Sequence, residues 1–175
     1  ADRLGLSLGY LGRIEDDTYE IEHVVGDHAL VEAGASSPLS ATYCEHTAQT
    51  ETLLPIHDAA AEGWADHPSY RVGGIACYLG GKVSVSGETY GTVCFADEEP
   101  RATSFTDAER AFVELLVQWV SDELERRHRE ADLERYEDII EAVDDGVYAL
   151  DDEGDFVFVN EAMTALTGYD AESLL

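Results

Sequence analysis

Three cysteines, Cys44, Cys77 and Cys94, carry the most chemical potential in this sequence. A thiol works as a nucleophile or redox group only as its thiolate, which nearby cationic groups favour, and a disulfide also needs a resolving thiol within reach. None of the three belongs to a CxxC pair and their number is odd, so neither a disulfide framework nor a zinc site is indicated. Little positive charge surrounds Cys77, which favours a packed core thiol over catalysis. Cys44, His46, His57 and His67 carry metal-binding atoms, yet no CxxC or HxxxH spacing gathers them, and no metal is expected. Tyr43, Trp64, Tyr70 and Tyr78 are of the type that lines a pocket for a small planar or apolar ligand, or that simply packs.

The elements that must position these side chains are legible from pattern. Residues 6 to 26 alternate into two strands, Leu6 to Ile14 and Tyr19 to Val25, around the turn Glu15-Asp16-Asp17. From Ser40 the stretch SATYCEHTAQTE reads as a short helix, and Leu53, Leu54 and Ile56 as a brief strand. The segment from Ala59 to Val72 reads as a helical turn and loop. Residues 75–85 and 88–97 are β-rich runs flanking Ser86-Gly87, a two-residue hairpin turn. In that register Val85 faces Glu88, Cys77 lies opposite Ala96 and Cys94 opposite Leu79, so both thiols are expected on one face. A bulge or a three-residue loop would put them on opposite faces.

Thr106-Asp107-Ala108-Glu109 is a capping-box pattern with Thr106 as N-cap, and no Gly or Pro follows before Gly146. A helix over about 106–143 is predicted. Phe112, Leu115, Trp119, Leu133, Tyr136, Ile140 and Val143 fall on one seam, with Asp122, Arg126 and Arg129 between them. A second face, Val113, Leu116, Val120 and Leu124, exists only in the first half. The expected helix therefore packs on its own domain to about Leu124 and continues as a parallel dimeric coiled coil; the alternative is a monomeric linker helix on a solvated surface. Beyond it, GVYALDDEGDFVFVN reads as two short strands and EAMTALTGY as a helix, the start of a domain inside which the chain is expected to stop. The expected division is a sensory core over 1–105, an exit helix over 106–143 and a further domain over 144–175.

The 175 residues hold 38 Asp or Glu against 10 Lys or Arg, a formal net charge of −28. Lys82 is the sole lysine, and the acids run from Asp2 to Glu172 rather than forming a tail. Such a polyanion argues against non-specific binding to nucleic acid or an anionic membrane. The even spread fits a halophile proteome better than a local acidic binding surface, because molar salt shortens the Debye length to about 3 Å and screens the self-repulsion. No window approaches the roughly 18 apolar residues of a membrane span, and no basic-then-apolar leader opens the chain, so a cytoplasmic location is expected.

The run from Tyr78-Leu79-Gly80 through Gly87-Glu88-Thr89-Tyr90-Gly91-Thr92-Val93-Cys94-Phe95-Ala96-Asp97, then Pro100-Arg101 and Phe105-Thr106-Asp107-Ala108-Glu109, resembles the second half of a GAF domain. The upstream hairpin and Leu54-Pro55-Ile56-His57-Asp58-Ala59 are similar to the same family, so the resemblance covers residues 1 to about 127. Residues 133–175 resemble the start of a PAS domain through Gly146-Val147-Tyr148-Ala149-Leu150-Asp151, Phe158-Val159-Asn160 and Leu166-Thr167-Gly168-Tyr169. GAF before PAS on this composition is similar to the sensory region of haloarchaeal histidine kinases and transcription regulators. The implied fold is α+β: an antiparallel sheet of five or six strands with helices on both faces, and a long helix leading into a truncated PAS domain. The family's usual first helix has no counterpart before Leu4.

The resemblance implies a small-molecule pocket near Tyr43, Cys44, His57, Trp64, Tyr70, Cys77, Tyr78 and Cys94, which form the candidate ligand-binding set; no catalytic residue is assigned. Cyclic nucleotides are disfavoured, since Lys82 lacks the adjacent Asn of that signature, and neither Cys44 nor Cys77 has the neighbourhood of a bilin attachment site. No cofactor is named. The expected function is a non-catalytic sensory module that binds a small ligand and relays its state through a homodimeric helix to a kinase or regulatory domain. Two alternatives stand beside it. Ile75-Ala76-Cys77 resembles part of the motif of GAF-fold methionine sulfoxide reductases, implying a thiol redox enzyme or sensor, and a ligand-free domain would be a dimerising spacer.

Overall fold

Apolar and polar side chains alternate through the first strands, and a turn at Asp16-Asp17, with Asp16 at φ 53°, joins β1 (Leu8–Glu15) to β2 (Thr18–Val25). The computed structural model describes residues 2–175, in two compact units that meet in sequence between Glu125 and Arg126. After β2 come β3 (Ser36–Pro38), α1 (Cys44–Gln49), β4 (Leu54–Ile56), α2 (Pro68–Arg71), β5 (Cys77–Val85), β6 (Glu88–Asp97) and α3 (Asp107–Glu141). The first helix is shorter than the pattern from Ser40 predicts, because residues 39–41 form a single 3-10 turn and Thr42 is extended. The six strands form one antiparallel sheet in the order β3-β2-β1-β6-β5-β4.

Both faces of this sheet are covered, so β5 and β6 are buried almost continuously rather than alternately. On one face Leu8, Tyr19, Ile21, Tyr78, Cys94 and Ala96 pack with Tyr43, which precedes α1, and with Cys44 at its start. On the other, Cys77, Leu79, Val83, Val93 and Phe95 pack with Phe105 and Val113.

The shared-face expectation for Cys77 and Cys94 is overturned here. Val85 does face Glu88, and Ser84 faces Thr89, as a two-residue turn requires; the register then steps so that Val83 pairs with Gly91. Tyr90 is the extra residue of a β-bulge. Side-chain parity reverses beyond it, so Cys77 lies opposite Asp97, Cys94 lies opposite Gly80, and the two thiols point to opposite faces. Gly91 has no Cβ because one would collide with the Gly12 carbonyl of β1.

The capping box at the start of α3 forms reciprocally. The Thr106 amide donates to Glu109 Oε2 at 2.7 Å, and the Glu109 amide donates to Thr106 Oγ1 at 3.3 Å. The first half of the helix then lays Phe112, Val113, Leu116, Val117, Val120 and Leu124 on the sheet. Phe112, expected in an intermolecular seam, is instead part of this core and carries the Arg3 guanidinium 5.0 Å from its ring centroid.

The second unit holds the end of α3, β7 (Tyr148–Leu150), β8 (Phe156–Val159), α4 (Glu161–Thr167) and α5 (Ala171–Leu174). Its centre is Asn160, fully buried. Its Oδ1 accepts from Val147 at 2.8 Å and Met163 at 3.0 Å, and its Nδ2 donates to the carbonyls of Ile140, Val143 and Asp145. One side chain thus caps α4 and ties the hairpin to the end of α3.

Gly81 lies where α3 packs closely on the sheet: a Cβ there would lie 2.6 Å from Val117 Cγ2 and 2.8 Å from Leu53 Cδ2. Gly81→Ala is expected to lower stability by about 1–3 kcal/mol through overpacking. Adding Val117→Ala should recover part of that loss. Urea denaturation at molar KCl measures both, and wild-type stability of the single variant would refute the close packing.

Candidate functional site

The site is built around two strand glycines. Cys94 and Thr92 of β6 face α1, Gly80 of β5 lies opposite Cys94, and Gly12 of β1 lies opposite Thr92. A Cβ on Gly12 would collide with the Tyr19 ring, and one on Gly80 with the Tyr78 ring. Because neither glycine has one, both rings lie flat on the sheet and carry their hydroxyls to its centre. Tyr19 OH is 2.9 Å from Thr92 Oγ1, while Tyr78 OH is 2.7 Å from Thr47 Oγ1 and 3.0 Å from Cys94 Sγ. Cys94 Sγ donates to Thr92 Oγ1 at 3.2 Å. The short α1 places Cys44 and Thr47 over this web, with Cys44 Sγ 3.7 Å from Cys94 Sγ and 3.7 Å from Tyr78 OH.

The web contains hydroxyls and thiols but no formally charged side chain. Burial, and then the adjacent thiols, push the Tyr78 and Tyr19 hydroxyls well above their ordinary range, so both stay neutral donors. Burial pushes the Cys44 thiol up as well, but hydrogen bonding from Cys94, Thr92, Tyr19 and Tyr78 outweighs it and draws Cys44 down to about 6. Cys94 moves upward, through burial and its proximity to Cys44. The two thiols titrate as a coupled pair, the Cys44 shift downward and the Cys94 shift upward.

Beside Cys44 opens a cavity of about 280 Å³, walled by Tyr10, Tyr19 and Ile21 of the sheet, by Ala41, Thr42 and Cys44, by Val72 and Ile75 near α2, and by Leu30 and Val31. Its lining includes no lysine or arginine. His28 closes the outer side: its Nδ1 accepts from the Leu30 amide at 3.1 Å, which leaves Nε2 to donate to the Gly73 carbonyl at 2.9 Å. The segment after β2 is thereby tied to the segment after α2.

Of the candidate ligand-binding set, Cys44 stands in the cavity wall. Tyr78 and Cys94 lie directly behind it in the hydroxyl web. Tyr43 is buried beside them, stacked on His67 at 4.6 Å, edge-on to Trp64 at 5.4 Å, and donating its hydroxyl to the Ile75 carbonyl. Trp64 and Tyr70 pack on the outside of the same core. His57 pairs with Glu62, away from the cavity lining. Cys77 is under α3 on the other face, where burial pushes its thiol up to about 11. Among the described residues no group of three or more His, Cys, Asp or Glu is placed to hold a metal ion, and no helix is long and apolar enough to cross a membrane. Tyr10, Tyr19, Ile21, His28, Thr47 and Thr92 are among the site residues the candidate set lacks. A signal was available for Tyr10: Tyr10-Leu11-Gly12 and Tyr78-Leu79-Gly80 repeat one tripeptide on the two strands that flank β6.

A model of the GAF domain family matches residues 1–124, and one of the PAS fold matches residues 134–175. Among solved structures, the GAF domain of an Acinetobacter phosphoenolpyruvate-protein phosphotransferase is 16% identical with a TM-score of 0.59, covering 75% of this chain and 78% of that one. The GAF domain of a two-component sensor histidine kinase from Bacillus halodurans is 12% identical with a TM-score of 0.57, covering 74% and 91%. A type II free methionine-R-sulfoxide reductase from Thermoplasma acidophilum is 15% identical with a TM-score of 0.51, covering 67% and 77%. These likenesses show the fold. No curated protein matches the chain.

Tyr78→Phe removes the hydroxyl shared by Thr47, Cys94 and Cys44 while keeping the ring on Gly80. Loss of about 1–3 kcal/mol of unfolding free energy is expected, because buried polar partners lose their mate. Urea unfolding at fixed salt tests this, and a change near zero would mean the web contributes no net stability.

Proposed function

Because the chain belongs to the GAF-domain family and holds an apolar cavity on the sheet face opposite α3, we propose that it is a sensory module whose cavity binds a small, uncharged, largely apolar or aromatic molecule. The cavity is the observation that carries this reading. Its apolar walls include Tyr10, Tyr19, Ile21, Leu30, Val31, Val72 and Ile75, with Ser37 and Thr42 as polar groups at its edge that would orient a ligand. With no cation in the lining and a net charge of −28 around it, an anionic ligand meets no compensating group. The ligand's state would reach α3 through β6, which ends at Asp97 shortly before the helix begins at Asp107. The PAS-fold match on residues 134–175 supports a relay toward a further signalling domain. We assign the parent protein to the cytoplasm of a halophilic archaeon, as a histidine kinase or transcription regulator, on the acidic composition and the GAF-PAS order.

Native mass spectrometry of protein purified from its own host, in molar ammonium acetate, is expected to show a retained small molecule. Val31→Trp, which fills the cavity from its loop side, should remove that adduct while leaving the fold intact by circular dichroism. A wild-type protein that carries nothing, or a Val31→Trp variant that retains the adduct, would overturn the reading.

The relay is further proposed to run through a parallel homodimer. Leu115 and Trp119, exposed at 68% and 65% in the first unit, and Leu133 and Tyr136, exposed at 63% and 62% in the second, are two exposed apolar pairs on α3. Such pairs suit a partner helix of the same sequence. Sedimentation at high salt should show a dimer that Leu133→Asp and Ile140→Asp weaken, whereas a monomer at every concentration would contradict it.

A further inference from the structure

We propose that Cys44 and Cys94 are a hydroperoxide-oxidised thiol pair that closes to a disulfide, with the cavity as the oxidant's way in and Cys44 as the sulfur oxidised first. No motif marks this pair; the fold makes it, by setting α1 over the centre of β6. The two sulfurs are 3.7 Å apart and both are buried, Cys44 at 1% and Cys94 at 0% exposure. A bond requires them to approach by about 1.7 Å. The segment that must yield is α1, six residues long and entered through an extended Thr42.

The two thiols are not equivalent. Cys44 belongs to the cavity wall, whereas Cys94 lies behind it, hydrogen-bonded to Thr92 and Tyr78. A hydroperoxide entering the cavity therefore meets Cys44. Hydroxyl donors stand where thiolates more often have a cation, and they favour loss of the Cys44 proton.

In the first step the Cys44 sulfur attacks the terminal peroxide oxygen. The O–O bond breaks, the sulfur is oxidised to the sulfenic acid, and the leaving alkoxide or hydroxide takes the Cys44 proton to depart as alcohol or water. In the second step Cys94 attacks the Cys44 sulfur. The S–S bond forms, the S–O bond breaks, and hydroxide leaves with the Cys94 proton as water. Two thiols and one hydroperoxide thus give one disulfide, one water and one alcohol or second water. The cross-link fixes the helix over the cavity to the strand that runs toward α3. Cys77, on the opposite face, takes no part. The pair stands whether or not a ligand resides in the cavity, since a resident ligand would slow the oxidant's entry without changing which two sulfurs join.

The test treats the folded, full chain with hydrogen peroxide at molar KCl, then denatures, alkylates and maps it. The expected outcome is an intact-mass loss of about 2 Da from forming one disulfide. Two thiols should become resistant to alkylation, with a peptide joining Cys44 to Cys94 and Cys77 still alkylated. Cys77→Ser should oxidise identically. Cys94→Ser should stop at a sulfenic acid on Cys44 that dimedone traps. Val31→Trp should slow the reaction several-fold by narrowing the entrance. Retention of all three thiols, or a cross-link that includes Cys77, would overturn the pair on the unmutated chain alone, whatever the variants do. Oxidation of Val31→Trp at the wild-type rate would overturn the route through the cavity.

Discussion

Two tyrosine rings lying on two strand glycines set the geometry on which this domain turns. Glycine in a strand interior weakens the strand, since it contributes no side chain and gains more freedom on unfolding. At Gly12 and Gly80 that cost is offset by what takes the vacant place, the faces of Tyr19 and Tyr78. The rings cover the sheet where a Cβ would otherwise stand, and their hydroxyls reach Thr92, Thr47 and Cys94 in its middle. A larger residue at either glycine would lift a ring, disconnect the web and intrude on the space beside Cys44.

The same logic explains why a buried polar cluster is tolerated there. A buried hydroxyl without a partner costs more than a hydrogen bond gains, so such a cluster must be closed on itself. Tyr78 bridges Thr47 and Cys94, Thr92 bridges Cys94 and Tyr19, and Thr47 also donates to the Tyr43 carbonyl one turn back in its own helix. The thiols complete the network as soft, weak partners. This distinguishes Cys44 and Cys94 from Cys77, whose neighbours under α3 are Leu79, Phe95, Phe105 and other apolar groups.

Much of the fold was legible because it rests on local signals. The acidic turn at Asp16-Asp17, the Ser86-Gly87 turn, and the box at Thr106 and Glu109 each act within a few residues and each appears where expected. The thiol geometry was not legible, because parity along a hairpin depends on whether an extra residue is inserted. Next to the insertion a non-local contact stands that no short window displays: Gly91 sits against the Gly12 carbonyl of a strand some eighty residues earlier. Aromatic composition pointed to the right face for Tyr43 and Tyr78, but periodicity could not separate cavity wall from core. Ile21, Val31 and His28 become wall residues only when the segment after β2 folds toward α2, and His28 gives no sign in sequence that it will bond to Gly73.

Arg101 explains how a helix of 35 residues can have two characters. Its amide donates to the His57 carbonyl at 2.8 Å, and its guanidinium reaches the Leu4 carbonyl, the Phe105 ring and the Glu109 carboxylate. Glu109 in turn holds the Thr106 cap. The entry of α3 is thus clamped to the segment after β4 and to the start of the chain, by bonds that exposed ion pairs seldom equal because these side chains are largely buried. From that clamp to Leu124 the helix rests on the sheet through an apolar face. Past Glu125 its sequence turns to dense charge, with partners such as Glu130 for Arg126 on the helix itself. Local pairs of this kind sustain a helix without any core beneath it, and they leave the choice of neighbour to the apolar positions that remain exposed.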